Sequence, residues 1–278
     1  MPLNKIISKK WHNERGREKG RIEYDKKMVV KEKLIPKFSK IRLLETGHNS
    51  AYYNMALDQV LMSTVDDSVP ILRLYGWKPA AVSIGYFQNL EEEVNLRTCK
   101  NLGIDIVRRM TGGGAVLHEH ELTYSFIAKK YPTNIMESYE LICEPVVMCL
   151  KDLGFDAQFS PLNDIIVDDK KVSGNAQTRK QNTLLQHGTI LLDVDVDRMF
   201  SVLNVPSEKM KDKIIKDAKE RVIGLKKPFG EVANGLQKAF GQKFEVEIFK
   251  DNVKTDEEIG AKIMQKQKYC SYEWNYKR

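Results

Sequence analysis

Three consecutive glycines sit inside the stretch Arg108-Arg109-Met110-Thr111-Gly112-Gly113-Gly114-Ala115-Val116-Leu117-His118. Ile104, Ile106 and Val107 read as a short strand before it, and Ala115–Leu117 as the start of another after it. Only glycine takes positive φ freely and leaves room beside its backbone. A glycine turn of this kind lets a ligand lie on main-chain N–H groups, a geometry that favours anions, and arginine adds a forked donor suited to phosphate or carboxylate. A plain Gly-rich hairpin turn is the simpler alternative, but it needs neither the basic pair nor His118. The order of residues is neither a dinucleotide fingerprint nor a Walker loop, so the motif itself leaves the anion's class open.

With 278 residues, 42% of them hydrophobic, the chain supports one sizeable core or one core with a small satellite. The net charge of +7 is unevenly spread. The first forty residues hold 13 Lys or Arg against 5 Asp or Glu, which leaves the remainder close to neutral. Residues 1–40 therefore read as a basic extension, and residues 41–278 as the body of the fold. A nucleic-acid groove built into the fold is not expected. The four cysteines, Cys99, Cys143, Cys149 and Cys270, form no CxxC. Free thiols and a cytoplasmic location are the default expectation. No apolar run is long enough to span a bilayer, and no secretory signal pattern begins the chain.

Along the chain, Ile41–Leu44 predicts a strand ending near Thr46, and Asn54–Met62 an amphipathic helix with Asp58 and Gln59 on its solvated face. Residues 70–75 and 81–86 alternate as strands, with Arg73, Ser83 and Gln88 as polar positions of either structural or pocket-lining use. Residues 90–102 predict one helix ended by Gly103. Leu122–Ala128 alternates as a strand. The nearby His118, His120 and Glu121 lack a third ligand at a convincing spacing for zinc. Residues 135–153 predict a helix bent or split at Pro145, carrying Cys143 and Cys149 as core thiols. Later patterns predict a strand over 184–192 interrupted at 186–189, helices over 196–205, 209–221, 229–240 and 255–268, a helix start at 206–208, and a strand over 244–248. The closing aromatics predict a tail clamped onto the core.

The second informative stretch is Asn163-Asp164, then a hairpin turning at Asp168-Asp169, then Lys171-Val172-Ser173-Gly174-Asn175-Ala176. Gly174 and Ala176 are small enough for a ligand to approach. Lysine offers a mobile point charge and Asp164 a ligand for Mg²⁺ between phosphates. Together with the glycine turn, these are the parts needed to activate a carboxylate with a nucleotide triphosphate.

The ordered set of the RR-x-TGGGAV-x-H stretch, Glu121–Ser125, Asn163-Asp164, Lys171–Ala176 and His187-Gly188-Thr189 resembles the lipoate–protein ligase A family. Asn54–Asp58, Gly85–Asn89 and Glu273-Trp274-Asn275 agree with it. The resemblance covers residue 41 to the end and implies that residues 41–278 are a catalytic domain of that family. It implies an α+β fold like that of biotinyl protein ligases and class II aminoacyl-tRNA synthetases: a mixed, mostly antiparallel sheet flanked by helices, with a smaller second sheet and no large C-terminal accessory domain.

The family chemistry implies an ATP-dependent ligase that converts lipoate to lipoyl-AMP and passes the acyl group to one lysine of a lipoyl-domain protein. Such acceptors include the glycine cleavage H protein and E2 subunits of 2-oxoacid dehydrogenases. A separate small accessory subunit for the activation step is a further expectation. By the resemblance, Lys171 is catalytic and Asp164 helps hold Mg²⁺. Arg73, Arg108, Arg109, Gly112, Gly113, Gly114, His118, Asn163, Asp164, Gly174, Ala176 and His187 surround ATP and lipoate. Related octanoyltransferases use a cysteine nucleophile, yet residues 150–163 and 180–269 contain none. That absence favours the ligase over an octanoyl or lipoyl transferase. A non-catalytic partner protein of a lipoylation complex is the alternative from another class.

Overall fold

The computed structural model describes residues 35–205 and 211–277. Among these, eight strands form one sheet. In sequence they are β1 (Ile41–Asn49), β2 (Ile71–Trp77), β6 (Glu121–Ala128), β7 (Ala157–Ser160), β8 (Asp164–Val167), β9 (Lys170–Lys180), β10 (Thr183–Leu191) and β11 (Ile248–Asp251). Their spatial order is β11-β1-β2-β6-β10-β9-β8-β7. The β11–β1 and β1–β2 pairs are parallel and the other pairs antiparallel. A second sheet holds β3 (Ala81–Ile84) between β4 (Asp105–Arg108) and β5 (Val116–His118). This is the α+β arrangement that the resemblance implied. The first 34 residues of the basic extension, and the helix start expected at 206–208, lie outside the described residues.

Strand alternation divides the large sheet between two apolar layers. Leu72 and Leu74 of β2 and Leu122, Tyr124 and Phe126 of β6 join Ile142, Val146 and Leu150 of α4 (Ile135–Asp152). Val232, Leu236 and Phe240 of α7 (Phe229–Phe244) complete that layer. On the opposite face, Ile71, Tyr75, Trp77, Ile127 and Leu185 pack with Leu57 and Leu61 of α1 (Ala51–Thr64) and with Ala261 of α8 (Thr255–Met264). Both faces of β2 and β6 are covered, so every residue of these strands is buried.

Several elements depart from the sequence expectation. β1 runs on to Asn49 through a register shift between Glu45 and Gly47, because its far half still pairs with β2. The single helix expected over 90–102 is two, α2 (Leu90–Glu93) and α3 (Leu96–Asn101). Asn89 and Asn95 each supply a side-chain N-cap. Pro145 does not split α4. β10 continues through residues 186–189, and the strand expected over 244–248 begins only at Ile248, because α7 extends to Phe244. Asp58 is buried rather than solvated, since α1 is covered on most sides.

The remaining helices are α5 (Val196–Val202), α6 (Lys211–Arg221), α9 (Tyr272–Asn275) and a π-helical turn over Gln265–Tyr269 that continues α8. α9 secures the chain's end as the aromatics predict: Trp274 Nε1 donates to Arg108 O at 2.8 Å, and Asn275 Oδ1 accepts from Arg108 N at 2.8 Å.

Candidate active site

The α1-side face of the large sheet carries two cross-strand rows. Arg73, Ser125, His187 and Ala176 face one another across β2, β6, β10 and β9. Tyr75, Thr123, Thr189, Gly174 and Asp164 form the adjacent row and extend it to β8. Period-two alternation places these mostly polar or small residues together, where the neighbouring positions of the same strands are core. Tyr75, Thr123, Thr189, Gly174, Ala176 and His187 of these rows floor a cavity of about 320 Å³ whose lining also includes Trp77, Arg109, Gly113 and Lys171.

One wall is the glycine stretch. β4 and β5 do not pair with each other as a hairpin would. Both pair with β3, and the glycines bridge them. Gly113 has φ +96°, and a Cβ on Gly85 would lie 2.1 Å from the Gly113 carbonyl oxygen. Arg109 ties the loop down: Nη2 donates to Gly112 O at 2.8 Å and to Gly114 O at 2.7 Å, and Nη1 to Ser83 O at 3.1 Å. Burial brings its pKa down to about 10. A Cβ on Gly112 or Gly114 would meet open space.

A buried chain of polar groups ties this wall to the large sheet. Arg73 Nη1 contacts Asp58 Oδ1 at 2.7 Å, and Asp58 Oδ2 accepts from Ser125 Oγ at 2.8 Å and lies 3.5 Å from His187 Nδ1. His187 Nε2 is 2.7 Å from Thr111 Oγ1, next to Gly112. Burial lowers the His187 pKa. Burial works to raise that of Asp58, but Arg73 and His187 outweigh it and hold Asp58 low.

The opposite wall is the β8–β9 hairpin. Its turn places Asp168 and Asp169 at φ 49° and 62°, the left-handed pair of a tight hairpin. Lys171 Nζ is 2.8 Å from Asp164 Oδ1, and both side chains are partly exposed, at 44% and 34%. A Cβ on Gly174 would lie 3.0 Å from Lys171 Nζ. The backbone behind is fixed by Asn163 and Asn175: Asn175 N donates to Asn163 O at 3.0 Å, and the Asn163 amide donates to Asn175 O.

Of the expected site residues, the cavity gathers Arg109, Gly113, Gly114, His118, Asn163, Lys171, Gly174, Ala176 and His187. Four stand apart from its lining. Gly112 sits at the edge, bonded to Arg109. Asp164 reaches the site through Lys171. Arg73 is sealed in the Asp58 and Asn54 network. Arg108 is spent on carbonyls of Gly85, Gln88, Trp274 and Asn275, and so holds α9 rather than a phosphate. No group of three or more His, Cys, Asp or Glu among the described residues could hold a metal ion. His118 is bound to Glu121 at 2.6 Å, whereas the exposed His120 lies 3.9 Å from Glu119. The sequence reading left Trp77, Glu121, Thr123 and Thr189 unassigned. Alternation about His118, Ser125 and His187 was the signal that places them.

The cysteines lie elsewhere. Cys99, Cys143 and Cys149 are buried and Cys270 is exposed, and none lines the cavity. Burial pushes the thiol of Cys99 up to about 11, and those of Cys143 and Cys149 up to about 12.

The sequence profile of the lipoyl protein ligase A/B catalytic domain matches residues 50–255. The chain belongs to that family. Among curated relatives of the lipoyl ligase A/B family, the octanoyltransferase LipM of Kyrpidia tusciae is 36% identical and aligns with 85% of this chain and 98% of its own. The octanoyltransferase LipM of Lysinibacillus sphaericus is 32% identical, over 84% and 98%. Among solved structures, a chain from the Thermoplasma acidophilum lipoylation system, described as a bi-partite lipoate protein ligase and its E2 lipoyl domain, is 34% identical. It covers 87% of this chain and 97% of its own, with a TM-score of 0.80.

These relatives correct the sequence reading on one central point. An ATP-dependent ligase forming an acyl-adenylate was expected, and the curated relatives are octanoyltransferases. The expectation turned on a missing cysteine. The lack of one nucleophile does not exclude acyl transfer, because other side chains or the acceptor amine can attack a thioester. Lipoylation chemistry, acyl transfer and protein modification remain. No helix among the described residues is long and apolar enough to cross a membrane.

Proposed function

We propose that this chain transfers an octanoyl-sized acyl group from a thioester donor to the ε-amine of a lysine on a lipoyl-domain protein. The observation that carries the reading is the cavity itself, an acyl-sized, largely apolar space with Lys171 on one wall, in a chain 36% identical to an octanoyltransferase. Burying a medium-length chain is worth about 0.8 kcal/mol per methylene, so Tyr75, Trp77, Val116 and Leu117 suit the tail. The glycine wall leaves space beside Gly112 and Gly114 for the carbonyl end. Lys171, steered by Asp164, supplies positive charge to the oxyanion formed when the carbonyl is attacked. Overall the C–S bond breaks, an amide C–N bond forms, and the amine's proton ends on the departing thiolate. A lipoyl domain as acceptor is supported by the E2 lipoyl domain named with the Thermoplasma relative.

The test is the intact mass of a lipoyl-domain protein after incubation with the full chain and octanoyl-pantetheine in the absence of ATP. The expected result is one octanoyl amide on a single lysine. An acceptor modified only by free acid in the presence of ATP would overturn the reading.

A further inference from the structure

We infer that Ser83 is the acyl-accepting nucleophile of this transfer, activated by His118 and held in line by Glu121. The inference rests on the transfer reading above and adds the group that carries the acyl chain between donor and acceptor. Ser83 Oγ lies 2.7 Å from His118 Nε2, and His118 Nδ1 lies 2.6 Å from Glu121 Oε1. An ionised carboxylate only accepts, so Nδ1 carries the proton toward Glu121 and Nε2 is left bare to accept from the Ser83 hydroxyl. This is the order of nucleophile, base and orienting acid that activates serine on unrelated folds.

The arrangement is fixed from several sides. Ser83 pairs with Val116 and Ala81 with His118 across β3 and β5, which sets serine and histidine diagonally on one face. Trp77 stacks on the imidazole at 3.9 Å between ring centroids and 15° between planes. Trp77 Nε1 donates to Thr123 Oγ1 at 2.8 Å, and Thr123 Oγ1 donates to Glu121 Oε1 at 2.7 Å. Arg109 Nη1 is 3.0 Å from Ser83 Oγ, a fixed positive charge beside the attacking oxygen. Ser83 is only 1% exposed, yet it, His118 and Glu121 all line the cavity. The second Glu121 oxygen is buried with no partner among the described residues. Buried polar groups normally have a partner, and a catalytic role is one reason for an exception. The four thiols lie outside the cavity, so serine is placed for the work that cysteine would do.

The steps balance. Ser83 Oγ attacks the donor carbonyl while its proton moves to His118 Nε2. The oxyanion forms in a cavity that Arg109 and Lys171 both line. The C–S bond then breaks, and the thiolate leaves with the proton from His118. The acceptor amine attacks the Ser83 ester, gives its proton to His118 Nε2, and the serine oxygen leaves with that proton as the amide forms.

The experiment mixes the full chain with octanoyl-pantetheine, quenches it in acid within the first turnover, and maps the adduct by mass spectrometry. The expected adduct is one octanoyl ester on the Ser83 peptide, stable to neutral hydroxylamine and discharged by added lipoyl-domain protein. Ser83→Ala should lose the adduct and slow transfer by about a hundredfold or more. Ser83→Cys keeps a nucleophile of similar size and should carry the adduct as a hydroxylamine-labile thioester. Glu121→Gln should slow acylation and shift its pH profile without weakening acyl-chain binding. An unmoved profile removes the positioning role of Glu121.

Transfer by wild type with no Ser83 adduct, and at the same rate by Ser83→Ala, overturns the inference. A Ser83 ester that no lipoyl-domain protein discharges upholds Ser83 and overturns the acceptor assignment. Neither ester nor acylated acceptor from the thioester overturns both.

Discussion

The two walls of the cavity are built in opposite ways. The glycine wall is anchored: Arg109 spans its carbonyls, Gly85 packs against Gly113, and the Arg73–Asp58–His187–Thr111 chain joins it to the centre of the large sheet. The hairpin wall is open, and its charged pair, Lys171 and Asp164, stands partly in solvent. Binding an acyl chain in one pose asks for fixed surroundings, whereas a charge that must follow a reacting carbonyl through changing geometry benefits from a side chain with freedom. The difference sets the buried Arg73–Asp58 pair as scaffolding beside the partly exposed Lys171–Asp164 pair, to which the proposed transfer gives chemistry.

Breaking the anchored wall should cost most. Arg73→Met leaves Asp58 buried beside an apolar side chain, and removing one partner of a buried pair typically costs about 3–5 kcal/mol. Chemical denaturation should show a loss of that size, and a loss under about 1 kcal/mol would mean that Asp58 is compensated from elsewhere.

Gly85→Ala comes next. Its Cβ would meet the Gly113 carbonyl, a backbone group with little room to retreat. Overpacking of this kind costs about 1–3 kcal/mol, and acyl-chain affinity should fall with it. Unchanged affinity in calorimetry would show that the glycine wall is not rigid.

The anchored wall should also sense pH. Burial holds the folded-state pKa of His187 below the ordinary value of about 6.5. Below about pH 6.5 the unfolded chain therefore binds a proton that the folded chain does not. Stability from this group is complete above that pH and falls as pH drops toward the depressed folded value. His187→Gln should flatten the slope of stability against pH in this window, and an unaltered slope would assign it to other groups.

The smallest effect is expected on the open wall. Asp164→Asn removes an exposed ion pair of a class worth about 0–1 kcal/mol. Denaturation should shift by no more than that, while transfer slows because Lys171 loses its guide. Equal loss of stability and rate would place Asp164 in the scaffold.

The open wall was the more legible in sequence. Asp168-Asp169 announces its turn, and Lys171, Gly174 and Ala176 stand together on the returning strand. The glycine stretch reads in sequence as a ligand-side turn, and Gly113 and Gly114 line the cavity. The arginines are harder to sort: Arg108 and Arg73 look alike in sequence to Arg109, but partners distant in the chain, Trp274 and Asn275 for Arg108 and Asp58 for Arg73, decide their use. Asp58 was misjudged for a similar reason, because helical spacing does not show how many sides of α1 are covered. The strand carrying His187 and Thr189 looked interrupted because its polar residues face the cavity floor, which only register across four strands reveals. The octanoyltransferase kinship stood in the sequence reading only as the alternative, because the positions where related transferases carry their cysteine hold none.

The most direct test of the contrast is single-turnover acylation of a lipoyl-domain protein from octanoyl-pantetheine, comparing wild type with Lys171→Ala after folding is verified, with octanoyl-chain affinity measured separately on each. The account predicts a rate at saturation lower by about a hundredfold, the scale of one lost oxyanion-stabilising donor, with stability and acyl-chain affinity nearly unchanged. A variant that binds the acyl chain more weakly but transfers at the wild-type rate at saturation would contradict it, because Lys171 would then belong to the binding wall.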